Sequence, residues 1–155
     1  MKKLILFAIA IAIGLTACGT TTTTAPPTPS GGLTADEAAE IHYVDRGLTA
    51  IMTVYTDLAE NLKAGNWDGV STDLDAWNSI ATDWNNRPAV GGNVKHLEDL
   101  YGEAGNSLRQ LFVDVAAIAN GSDYTPAMNQ DIADCVAAIN ACQAELDNLT
   151  GVNSI

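Results

Sequence analysis

Basic residues are scarce. Seven Lys and Arg stand against 19 Asp and Glu, a formal net charge of −12 with both histidines neutral. Such an acidic chain repels phosphate backbones and anionic headgroups, so nucleic acid is excluded as a partner. Histidine is limited to His42 and His96, and no Glu-x-x-His pair occurs, as an inward di-metal carboxylate site would need. Cysteine is limited to Cys18, Cys135 and Cys142, and no Cys-x-x-Cys-His is present for haem attachment. Gly-x-Ser-x-Gly and phosphate-cradling glycine loops are absent. Asp68-Gly-Val-Ser-Thr-Asp73 lacks the ligand spacing of an EF-hand loop. No stretch alternates apolar and polar residues as a half-buried strand would. These absences argue against an enzyme, a resident metal and a cofactor.

What remains is helical periodicity. Thr34-Ala35-Asp36-Glu37 fits a capping box, with two acids at the positive end of the helix dipole. Apolar residues then recur at Ile41, Val44, Leu48, Ile51, Tyr55, Leu58 and Leu62, steps of three and four that mark one helical face. Gly65 is its stop and Asn66 the next cap. A second seam runs Trp67, Val70, Leu74, Trp77, Ala81, Trp84 and halts at Asn85-Asn86-Arg87-Pro88. A third runs Val94, Leu97, Tyr101, Ala104, Leu108, Leu111, Val115, Ile118; Gly102 and Gly105 inside it point to a kink or a close helix approach. Thr125-Pro126 opens the fourth, with Met128, Ile132, Cys135, Ile139, Cys142, Leu146 and Leu149. The pattern predicts an all-α domain over 34–155. Its helices fall at about 35–64, 67–86, 93–120 and 125–150, in an antiparallel up-down-up-down four-helix bundle.

The seams hold apolar residues, Tyr and Cys. The acids, including Asp57, Glu60, Asp75, Glu98, Glu103, Asp134 and Asp147, are therefore expected on outer faces, as are both histidines. Glu37 and Glu40 lie in a first turn, where capping accounts for them. Cys135 and Cys142 are ~10.5 Å apart along a straight helix, too far for a disulfide, and are expected as core. Trp67, Trp77 and Trp84 are likewise expected in the core, with Trp67 and Trp84 near its ends.

The N-terminus has a different character. Met1-Lys2-Lys3 is a short cationic head, and Leu4–Leu15 is an apolar run too short to span a ~30 Å hydrocarbon core as a helix. Leu15-Thr16-Ala17-Cys18 closes it. Here the chain resembles bacterial lipoproteins, whose lipobox reads Leu-Ser/Thr/Ala-Ala/Gly-Cys; the resemblance covers residues 1–18. It implies a signal peptide over 1–17, cleavage between Ala17 and Cys18, and a diacylglyceryl group on the Cys18 thiol, often with an acyl chain on the new amine. Two or more chains hold a protein firmly to a bilayer. Cleavage removes Lys2 and Lys3 and no acid, taking the charge from −12 to −14. Residues 19–33, rich in Thr, Pro, Ser and Gly, form a linker of up to ~45 Å.

The leading expectation is a non-enzymatic lipoprotein on the extracytoplasmic side of the cell membrane or outer membrane. It is held through Cys18 and acts as an interaction or structural module toward an envelope protein partner. The alternative is a carrier of a small apolar ligand in a cavity near Trp77, Tyr55 and Tyr101. An unfilled apolar pocket favours the carrier and a packed interior the interaction module. A phage-encoded exclusion lipoprotein fits the same layout. In an up-down arrangement the linker, the 85–92 connection and the C-terminus share the membrane-proximal end. The outward tip then carries Asn66, Trp67, Asp68, Asn120, Ser122, Asp123 and Tyr124, with Asn66, Trp67, Asp68, Asp123 and Tyr124 as candidate partner contacts.

Overall fold

A computed structural model describes residues 32–151. The lipobox Leu15–Cys18, the signal peptide over 1–17 and nearly all of the linker lie outside the described residues. The described chain is all-helical: α1 (Ala35–Ala64), α2 (Trp67–Asn85), a 3-10 turn (Gly92–Val94), α3 (Lys95–Ala119) and α4 (Pro126–Thr150).

Each helix begins and ends for a local reason. The Thr34 hydroxyl accepts from Glu37 N–H at 3.2 Å and the Glu37 carboxylate accepts from Thr34 N–H at 2.8 Å, completing the capping box. Gly65 closes α1 in the left-handed region, and Asn66 caps α2 by accepting from Gly69 N–H at 3.2 Å. Pro126 sits in the first turn of α4, where its missing N–H costs nothing.

The apolar faces meet in one core. Val44, Leu48, Ile51, Leu97, Leu108, Cys135 and Cys142 are essentially inaccessible. α2 packs on α1 and α4 on α3; α1 also meets α3 and α4, whereas α2 barely approaches α3 and stays clear of α4. That distribution explains where the second seam departs from expectation. Trp67 is 49% and Leu74 39% exposed, because most of α2 has only α1 to face. Asp73 is buried in place of Leu74 and accepts from Asn61 Nδ2 at 2.9 Å. In α1 the core takes Val54, while Tyr55 is half-buried.

Two glycines mark close approaches. A Cβ on Gly105 would lie 3.0 Å from the Trp77 ring, so Gly105 lets α2 approach α3. Gly102 has open space around it and serves no such purpose. Gly47, which periodicity does not single out, lies under Tyr101: a Cβ there would meet the phenol oxygen at 2.2 Å. That oxygen is buried with no hydrogen-bond partner, and burial raises the Tyr101 phenol to about 12.

The expectation that the acids keep to outer faces is corrected at Asp73, at Glu145 in α4, and most fully at one end. Glu37, Glu40 and Glu98 are buried, and all three hold the connection between α2 and α3. Glu37 Oε1 accepts from Asn93 N–H at 2.7 Å. Glu98 accepts from Val90 N–H at 2.6 Å and Gly91 N–H at 3.2 Å. Glu40, 1% exposed, pairs with Arg87, whose guanidinium also lies 3.7 Å from the centre of the Tyr43 ring. Tyr43 in turn donates to Asp83 at 2.7 Å. These carboxylates replace water with charge-assisted hydrogen bonds, which is what makes their burial tolerable. Capping therefore accounts for Glu37 in part and for Glu40 not at all.

The Glu40–Arg87 pair is asymmetric, with Arg87 about one-third exposed. Arg87→Met strands a buried carboxylate and is expected to cost about 3 kcal/mol, whereas Glu40→Met leaves an arginine that can turn to water and costs about 1 kcal/mol. Urea unfolding of both variants checks the order. The hydrogen bonds from the Thr34 and Asn93 amides hold the Glu37 carboxyl below its ordinary value. A folded-state pKa below the unfolded one contributes stability above the unfolded value, lost as pH falls through the folded value. Glu37→Gln is therefore expected to destabilise at neutral pH, with the deficit shrinking toward zero in acid, as urea midpoints against pH would show.

Candidate functional site

The end opposite the carboxylate cluster is built differently. At the cluster end, aromatic rings fill the space between helices. Trp84 meets Tyr101 edge-on at 4.7 Å between centroids, and Tyr43 stacks on Trp84 at 6.2 Å. At the other end α2 contributes its first residue alone, and a cleft with about 80 Å³ of free space remains among the helix ends.

Helical spacing explains the lining. Tyr55, Leu58, Ala59 and Leu62 come from the last turns of α1; Leu111, Asp114, Val115 and Ile118 from the end of α3; Met128 and Ile132 from the start of α4. Trp67 and Tyr124 complete it from either side. The apolar residues that line the cleft continue the seams of the core, so the cleft is the place where those seams are not covered by a fourth helix.

Asp114 is the charged member of the lining. Its Oδ1 accepts from Gln110 Nε2 at 3.2 Å, its Oδ2 is buried, and the carboxyl is hydrogen-bonded to that of Asp131. Burial and, second, the neighbouring carboxyl of Asp131 push the Asp114 pKa up. Among the described residues the ion pairs are Arg87–Glu40 and Lys95–Asp99, so neither Asp114 nor Asp131 has a basic partner. Asp114 is absent from the candidate residues read from sequence. The available signal was its position three residues after Leu111 and four before Ile118, on the seam face.

The outward tip read from sequence is brought together in part. Trp67 and Tyr124 both line the cleft, and Tyr124 donates to Asn129 at 2.5 Å. Asn66 is occupied as a cap, its Nδ2 donating to Asn61 at 2.7 Å. Asp68, Asp123, Asn120 and Ser122 are exposed outside the lining. The cavity expected near Trp77, Tyr55 and Tyr101 is displaced: Tyr55 reaches the cleft, while Trp77 and Tyr101 are packed in the core.

The remaining candidates have simpler environments. Cys135 and Cys142 are free and fully buried, and burial drives both thiols up to about 12, which suppresses the reactive thiolate. His42 and His96 are exposed. Among the described residues no group of three His, Cys, Asp or Glu is placed to hold a metal ion, and no helix is long and apolar enough to cross a membrane. No protein-family model, curated protein or solved structure matches the chain.

Two tryptophans of α2 separate packing from display. Trp77→Ala should cost about 3–5 kcal/mol, as truncation of a buried aromatic does, and Trp67→Ala less than about 1 kcal/mol. Chemical denaturation of the two variants tests the difference.

Proposed function

We propose that the chain is a lipid-anchored, non-enzymatic lipoprotein of the cell envelope whose helical domain holds a small apolar ligand at its outward end. The observation that carries the ligand reading is the open apolar cleft: a chain that buries Leu48, Ile51 and Leu108 completely nevertheless leaves space among Leu58, Leu111 and Met128. Binding pockets share this character, apolar walls with a small number of polar groups that fix orientation.

The domain is an up-down-up-down four-helix bundle in this reading. The cluster of Glu37, Glu40 and Glu98 stands at the start of α1, next to the linker, and the cleft lies at the end of α1. Glu37 and Leu58 are 21 residues apart on α1, ~32 Å of helix. Lipid on Cys18 would set the glutamate cluster toward the membrane and open the cleft away from it. Protein contact at the same tip is a second reading, supported by the half-exposed Trp67.

The anchor is tested by metabolic labelling with a radioactive or clickable palmitate in a bacterial host. The wild-type chain is expected to take the label and to lose residues 1–17, and Cys18→Ala to do neither. A wild-type chain that takes no label, or a labelled Cys18→Ala variant, contradicts the anchor.

A further inference from the structure

At the cleft an apolar wall meets an acid with no basic partner. We infer that the cleft takes a small amphiphilic amine, with its apolar body against Leu58, Leu62, Leu111 and Met128 and its ammonium group at Asp114. This rests on the ligand reading above and names the ligand's chemistry.

A neutral apolar ligand would leave the hydrogen-bonded Asp114–Asp131 carboxyl pair, one member of which lines the cleft, with no positive charge beside it. An anion would meet Asp114 and the adjacent Asp131 with no base to offset them. An ammonium group beside Asp114 supplies that positive charge and offsets the repulsion between the two carboxyls. Tyr55, Trp67 and Tyr124 line the same space, and aromatic faces attract organic cations. The net charge of −12 draws cations toward the domain from a distance.

The surroundings favour a small molecule over a protein segment. Stable protein interfaces cover ~800 Å² per partner around an apolar centre. Of the exposed large hydrophobic residues Leu33, Trp67, Leu74, Val90, Val113 and Val136, Trp67 alone lines the cleft. An 80 Å³ space accepts a short chain or a single ring, not an interface core.

The test uses the full lipidated chain in phosphatidylcholine nanodiscs, titrated with hexylammonium, hexanol and hexanoate. Heat is measured against empty nanodiscs, and the Met128 methyl resonance reports the site. Hexylammonium is expected to bind about tenfold or more tightly than hexanol, with hexanoate not binding. Asp114→Asn should reduce the amine to the level of the alcohol and leave alcohol binding unchanged; Asp131→Asn should weaken the amine less. Equal binding of amine and alcohol by the wild type, or an amine preference that survives Asp114→Asn, overturns the inference and leaves the ligand reading standing. Failure of all three compounds to bind overturns both. A lysine-bearing apolar peptide that binds at Met128 where hexylammonium does not overturns the inference in favour of a protein partner.

Discussion

Three buried glutamates set the shape of this domain. Glu37 and Glu40 on α1 and Glu98 on α3 grip the segment between α2 and α3 through the N–H groups of Val90, Gly91 and Asn93 and the guanidinium of Arg87. Within the connection burial holds Val94 at its far end, but residues 86–93 bury little. Charge-assisted hydrogen bonds from carboxylates already committed to a packed helix face hold that stretch instead. With that segment fixed, α2 is tied at one end by the grip and at the other by the Asn66–Asn61–Asp73 chain of amide and carboxylate contacts. It lies along α1 and never reaches α4.

The consequence appears at the opposite end. Because α2 stays beside α1, its indoles fill the half of the domain next to the glutamates, where Trp77 seats on Gly105 and Trp84 on Tyr101. The other half receives Trp67 alone, and that ring is half in water. The cleft is thus a by-product of where α2 is held. In the proposed reading the closed end faces the anchor at Cys18 and the open end faces away from it.

Much of the architecture was legible because helix signals are local. The capping box at Thr34, Gly65, Pro126 and the three-and-four spacing placed all four helices within two residues of their observed ends. The seams of α1 and α3 read nearly as they pack. Burial of Glu40, Glu98 and Asp73 was not legible, since a buried acid depends on a partner distant in the chain: Arg87 lies 47 residues from Glu40. Periodicity also assumed equal cover for every helix, so it placed Trp67 and Leu74 inwards. Trp67 and Tyr124 were found because they sit at connections facing the same way; Asp114 was passed over because seam reading counts apolar residues and treats acids as exterior. The anchor rests on residues 1–18, which lie outside the described residues.

The glutamate grip is measured most directly by amide hydrogen exchange, followed residue by residue by NMR on the full chain. Val90, Gly91 and Asn93 lie in a connection, yet their amides are predicted to exchange about a hundredfold or more slowly than that of Asp123 in the connection at the other end. Equal exchange in the two connections would contradict the account, because α2 would then have nothing holding it away from the cleft.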